Sequence, residues 1–187
     1  MKRIKRIVVI LSMLFLTGNV LGFTGCVRSY NIGDKGPGGG LIIYVNRAGF
    51  TVDGYGTAYY LEAAPVDLGV FAWASDNHSD TNIEGTKEDL GSGRKNTDLI
   101  LAVDANAPAA KACADYRGGG KRDWFLPSWE ELNLVYQQRG LFVISSGSFW
   151  SSSQLNDYFA RSQLFNDGNR DINGKDYIDS VRAIRAF

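Results

Sequence analysis

The sequence predicts a single α+β domain in which twisted antiparallel strands pack against two or three helices. Three observations lead there. Glycine-bounded runs of β-branched and aromatic residues recur near both ends of the chain. Between them lie stretches with helical spacing and recognisable end signals. No internal repeat and no linker divides the chain, and about 160 residues follow a short leader, the length of one ordinary domain with a real core.

The leader is residues 1–25. Lys2, Arg3, Lys5 and Arg6 precede an apolar run from Ile7 to Leu16, and small, turn-forming residues follow. Basic, then apolar, then small is the plan of a secretory signal peptide. The apolar run falls short of the roughly 20 residues a membrane span needs. Burying it as an element of the fold would carry four charges inward with it, which is costly. Two cleavage readings stay open. Phe23-Thr24-Gly25-Cys26 resembles a bacterial lipobox, with Phe23 where Leu is usual, and lipidation would then fall on Cys26. Alternatively, an ordinary signal peptidase cuts after Gly22 or Gly25 and releases a secreted or periplasmic protein. On the first reading residues 26–187 form an extracytoplasmic domain held at the envelope by acyl chains, each buried CH₂ contributing about 0.8 kcal/mol.

Twenty Lys and Arg balance twenty Asp and Glu over the whole chain. Four basic residues leave with the leader, so 16 remain against 20 and the mature charge is −4. A mildly acidic domain is a poor generic ligand for nucleic acid, and none is expected as a partner. The cysteines are Cys26 and Cys113. They could form one disulfide in an exported protein. With Cys26 lipidated, Cys113 stands alone in the small-residue stretch Ala109 to Ala114 and reads as a core residue.

Element by element, Tyr30 to Gly40 is a glycine-rich turn. It is no phosphate loop, because a strand follows it and no Gly-Lys-Ser/Thr does. Leu41–Val45 and Thr57–Ala63 read as strands joined by the Asp53-Gly54 turn, a hairpin. Val66–Lys95 reads as a long polar loop containing Trp73, the single histidine His78 and several acids. Asn96 and Asn106 are expected to cap successive helices, the second ending at Gly118. Trp124–Leu126 reads as a short strand. Ser128 and Glu131 form a capping box that starts another helix. Phe149–Ser153, Tyr158–Phe165 and Val181–Phe187 are expected strands, with turns at Asp167-Gly168 and Asn173-Gly174.

The segments IGDKGPGGGLIIYV, YYLEAAP, NTDLIL, DWFLPSWEELNLVYQQRG, FWSSS and VRAIRAF resemble, in that order, the Lcl C-terminal domain family. That is a bacterial cell-surface domain found at the end of a collagen-like adhesin and in lipoproteins. The likeness runs from about Tyr30 to Phe187. It implies a C-type-lectin-like fold with the chain ends close together. The collagen-like adhesin binds sulfated polysaccharide as an oligomer; here there is no Gly-X-Y repeat and the mature charge is negative. Fold alone does not assign function.

No catalytic residue, cofactor or metal ligand emerges. The Glu-Pro-Asn and Gln-Pro-Asp triplets of calcium-dependent lectins are absent. Asp167, Asn169 and Asp171 alternate like a calcium loop, but Ile172 and Ile178 stand where Gly and a bidentate Glu belong, so hairpin turns are expected. Ser151, Ser152 and Ser153 lack a nucleophile elbow and read as packing and surface hydroxyls. Arg182 and Arg185 suggest salt bridges, or an anion site with Arg161 or Arg170. Trp73, Tyr158 and Tyr177 are candidates for stacking on sugar rings. The expected function is therefore a non-catalytic adhesion or binding module for a glycan or protein. The alternative is a structural envelope lipoprotein that contacts other envelope proteins. The first requires a concave aromatic and polar patch built by the Val66–Lys95 loop and the late hairpins; the second requires a flat apolar one.

Overall fold

The run that opens at Leu41 is longer than its apolar start suggests. It forms β1 (Leu41–Val52), which turns at Asp53–Tyr55 and returns as β2 (Gly56–Ala63). Register shifts bend β1 between Val45 and Phe50, so the strand carries through the polar stretch Asn46-Arg47. The computed structural model describes residues 28–144 and 146–187. The leader and Cys26, and with them the cleavage and lipidation expectations, lie outside those residues.

The remaining elements are β3 (Gly69–Ala72), α1 (Gly93–Val103), α2 (Pro108–Asp115), α3 (Trp129–Gln137), β4 (Ser148–Gln154), β5 (Phe159–Leu164), β6 (Arg170–Gly174), β7 (Ile178–Val181) and β8 (Ile184–Ala186). They make two sheets, in the orders β1-β2-β8 and β3-β7-β4-β5-β6. All pairs are antiparallel except a parallel contact between β4 and β7. One core gathers Trp73, Trp150, Ile100 and Cys113 between the larger sheet and α1 and α2. Burial holds the Cys113 thiol far above its ordinary pKa, so it is a small core residue. A second core gathers Phe125, Leu132, Phe149, Phe165 and Ile184 under α3. This is the predicted α+β domain, and it is consistent with a C-type-lectin-like fold. The described chain ends meet: the Tyr30 ring lies edge-on to Phe187, 5.7 Å away.

Several local expectations need correction. The Val66–Lys95 stretch is not one loop, since it supplies β3, a short 3-10 turn at Asp76–His78 and the start of α1. Asn96 does not cap α1. It sits one turn inside the helix, fully buried, and its amide bonds both backbone groups of Lys87 and the Ser152 hydroxyl. Nor does Asn106 cap α2, which begins at Pro108 after Ala107. Trp124–Leu126 contributes a single bridge, Phe125 to Ile184. The last strand is two strands in different sheets, broken where the chain crosses at Arg182-Ala183.

The glycine-rich turn does cradle an anion, but the anion is internal. The Glu62 carboxylate is fully buried and accepts the N–H groups of Gly38 at 3.0 Å and Gly40 at 2.7 Å. Glycine is obligatory at position 40, where a Cβ would stand 2.0 Å from the Ala63 carbonyl oxygen. The capping box forms as expected: Ser128 N–H donates to Glu131 at 2.8 Å, and Glu131 N–H donates back to the Ser128 hydroxyl at 3.4 Å.

Candidate functional site

The late hairpins are built from short strands and tight turns, and their turn residues meet the segment after β3. Together they form an open cleft of about 340 Å³, lined by Ser79, Tyr158, Phe159, Gly174, Asp176 and Tyr177. Local bonds set each wall. The Asn156 side chain accepts the N–H groups of Tyr158 at 2.9 Å and Phe159 at 3.0 Å, turning the chain into β5. Lys175 N–H donates to the Tyr158 carbonyl at 3.0 Å, and Tyr177 N–H donates to that of Gly174 at 2.9 Å. Gly174 faces Phe159 across the ladder, where a Cβ would press on Asp176 and Tyr177. The rings stay open to solvent: Tyr158 is 60% exposed, Tyr177 65% and Phe159 40%.

Behind the cleft, the Lys175 side chain turns inward and is fully buried. Its ammonium donates to the Thr81 carbonyl and to Gln154 Oε1, both at 2.7 Å, and lies 4.9 Å from the Trp73 ring centre. Burial lowers its pKa to about 8, against the opposing pull of Asp157 and Asp80. Lys175 thus ties the late hairpin to the segment that carries Ser79. Lys175→Met is expected to cost about 1–3 kcal/mol by stranding the Thr81 carbonyl, while Gln154 Oε1 keeps the Ile83 N–H at 2.9 Å. Hydrogen exchange should then show faster exchange at Ile83, whose N–H donates to the Gln154 side chain, with the Phe149–Trp150 part of β4 unaffected. On the far side of Ser79, His78 Nδ1 stands 3.1 Å from the Ser75 hydroxyl and 3.7 Å from Asp104.

Of the residues singled out by sequence, Tyr158 and Tyr177 are brought together here. The others are not. Trp73 is fully buried and its indole N–H donates to the Ser151 carbonyl at 2.8 Å, so it is a core residue and cannot meet a ligand. Arg182 is likewise fully buried. Its guanidinium bonds Asp67 at 2.8 Å and the carbonyls of Ala64 and Val143, which is the salt-bridge alternative and excludes it from an anion site. Arg161 and Arg170 clamp the Trp129 ring from 4.4 Å each and pair with Glu88 and Glu130 at 2.8 Å. Their charges are directed to protein carboxylates rather than to the cleft.

Ser151, Ser152 and Ser153 are also fully buried, so none is a surface hydroxyl. Ser151 donates to the Arg161 carbonyl, Ser152 accepts from Asn96, and Ser153 donates to the Lys87 carbonyl. Asp167 and Asn169 lie in the β5–β6 hairpin turn, with the Asp167 carboxylate accepting Asn169 N–H at 2.9 Å, while Asp171 belongs to β6. Among the described residues no cluster of three or more His, Cys, Asp or Glu side chains is placed to hold a metal ion. A second, smaller depression of about 170 Å³ is lined by Tyr55, Arg94 and Phe187. There Arg94 covers the Tyr55 ring at 3.5 Å and the Tyr55 hydroxyl bonds Asp98, so its polar groups already satisfy one another.

Sequence reasoning missed Ser79, Phe159, Gly174, Asp176 and the supporting Lys175. The available signal was the Asn173-Gly174 pair; it ends β6 rather than forming the expected turn, and the turn that follows at Lys175-Asp176 brings Asp176 and Tyr177 to the hairpin end beside Tyr158. No protein-family model matches the chain, and no curated protein matches it significantly.

Proposed function

We propose that this chain is an exported, lipid-anchored, non-catalytic binding module that docks a glycan in the Tyr158–Tyr177 cleft. The observation that carries the reading is the cleft itself. Three solvent-facing rings stand beside a carboxylate and a hydroxyl, in a depression the size of small-molecule sites. Rings with one open face suit the apolar face of a sugar, and the polar groups suit its hydroxyls. The leader and the resemblance to a cell-surface domain family support export and anchoring through Cys26. No helix among the described residues is long and apolar enough to cross a membrane.

The test is a glycan-array screen of the full chain in detergent, run with calcium and with chelator. Saturable binding is expected, with Tyr158→Ala and Tyr177→Ala each weakening it about tenfold while the fold persists. Trp73→Ala, by contrast, reports on folding and not on contact. Absence of binding in both conditions sinks the glycan reading. It favours the second reading, a structural envelope lipoprotein. Val70 and Ile178, 60% and 68% exposed on the adjoining strands β3 and β7, then offer the apolar surface for a protein neighbour.

A further inference from the structure

Arginines of the chain cover several of the aromatic rings that reach its surface. Arg94 lies over Tyr55 at 3.5 Å, Arg139 over Tyr136 at 4.1 Å, and two arginines flank Trp129. Among the described residues no cation and no second ring lies over Tyr158, Phe159 or Tyr177. These rings are gathered in one cleft with the Asp176 carboxylate. Asp80 follows Ser79 in the chain and Asp157 precedes Tyr158, and both act electrostatically on the cation behind the cleft. That cation, Lys175, is buried and bonded inward to Thr81 and Gln154, and Asp176 is the charged residue that lines the cleft.

We propose that the cleft recognises a cationic ammonium group, carried by an amino sugar or by a quaternary amine. Ring faces attract a cation through their quadrupoles, and a nearby carboxylate completes the charge. The same arrangement disfavours sulfated or other anionic sugars, which would meet Asp176 without a facing arginine. This deepens the reading of the cleft as a ligand site and rests on it.

The experiment titrates the full chain in detergent with glucosamine, N-acetylglucosamine, glucose 6-sulfate, choline and its neutral isostere 3,3-dimethylbutanol, followed by calorimetry and by NMR of the tyrosine rings. At least one amine should bind saturably, at least fivefold more tightly than its uncharged counterpart. The ring signals of Tyr158 and Tyr177 should shift. Asp176→Asn should weaken the amine at least threefold with an unchanged melting temperature, and Asp157→Asn gives a second variant if the first is unstable. Tyr177→Phe should retain binding and Tyr177→Leu should lose it. Glucosamine alone identifies an amino sugar, and choline alone a quaternary amine. Choline binding with no array signal upholds the ammonium site while removing the glycan reading. Equal binding of charged and neutral partners, preference for glucose 6-sulfate, or no saturable amine binding up to about 50 mM overturns the proposal.

Discussion

Replacing Arg185 with alanine is expected to destabilise the folded chain by about 3–5 kcal/mol, the range for breaking a buried ion pair. Arg185 joins two acids, donating to Glu62 at 3.0 Å and to Asp123 through two nitrogens at 2.9 and 2.8 Å. Burial opposes its charge, but the Asp123 and Glu62 carboxylates outweigh that and hold its pKa above the ordinary value. Without it, the buried Glu62 carboxylate has no ion-pair partner among the described residues. A plain ion pair would be rescued by removing the other charge as well. Here the double variant Arg185→Met with Glu62→Met should not recover, because it also strands the N–H groups of Gly38 and Gly40. Urea unfolding of the two variants decides the matter. Recovery of most of the loss in the double variant would show that the glycine turn does not depend on Glu62.

That turn shows what could and could not be read from sequence. Its glycines announce close backbone approach, and the absence of a phosphate-loop pattern is visible. That the cradled anion is Glu62, more than twenty residues onward, requires the β1–β2 hairpin to be in place. Signals confined to one turn of chain were readable for the same reason in reverse. The Ser128–Glu131 box and the Asp53-Gly54 turn are decided by neighbours. Asn96 was misread because an asparagine before an apolar stripe resembles a cap; its real partners are Lys87 and Ser152, and Ser152 lies 56 positions away.

The candidate site divides along the same line. Tyr158 and Tyr177 flank turn residues, and turn chemistry keeps them at the surface. Trp73 and Arg182 carry no local mark of burial. Trp73 is fixed by Ser151, 78 positions on, and Arg182 by Asp67, 115 positions back. An arginine in an alternating strand looks exposed until the chain is found to leave the sheet at that residue. The long-range bonds that bury these residues also place the cleft: Lys175 reaches Thr81 across 94 positions and brings Ser79 to the late hairpin.

Glu131→Gln is expected to be more damaging at pH 4.5 than at pH 8, by about 3 kcal/mol. The Glu131 carboxyl is fully enclosed between the start of α3 and the Gly91–Gly93 segment. It accepts N–H groups from Gly91 at 3.0 Å and Ser128 at 2.8 Å, and position 91 must be glycine because a Cβ would lie 1.9 Å from the Thr51 carbonyl oxygen. Burial drives the Glu131 pKa from 4.5 up to about 7, and the backbone donors only partly offset it. A carboxyl raised in the folded state binds a proton there that the unfolded chain releases. Its stabilising contribution is therefore complete below about pH 4.5 and is lost as pH rises to about 7. Glutamine keeps the shape and cannot titrate, so subtracting its unfolding free energy from that of the parent isolates this one group. Urea unfolding of both chains across the range measures the difference directly. A constant gap between pH 4.5 and 8 would mean that the N–H donors keep Glu131 ionised throughout, with the charge itself holding the Gly91 segment against the helix.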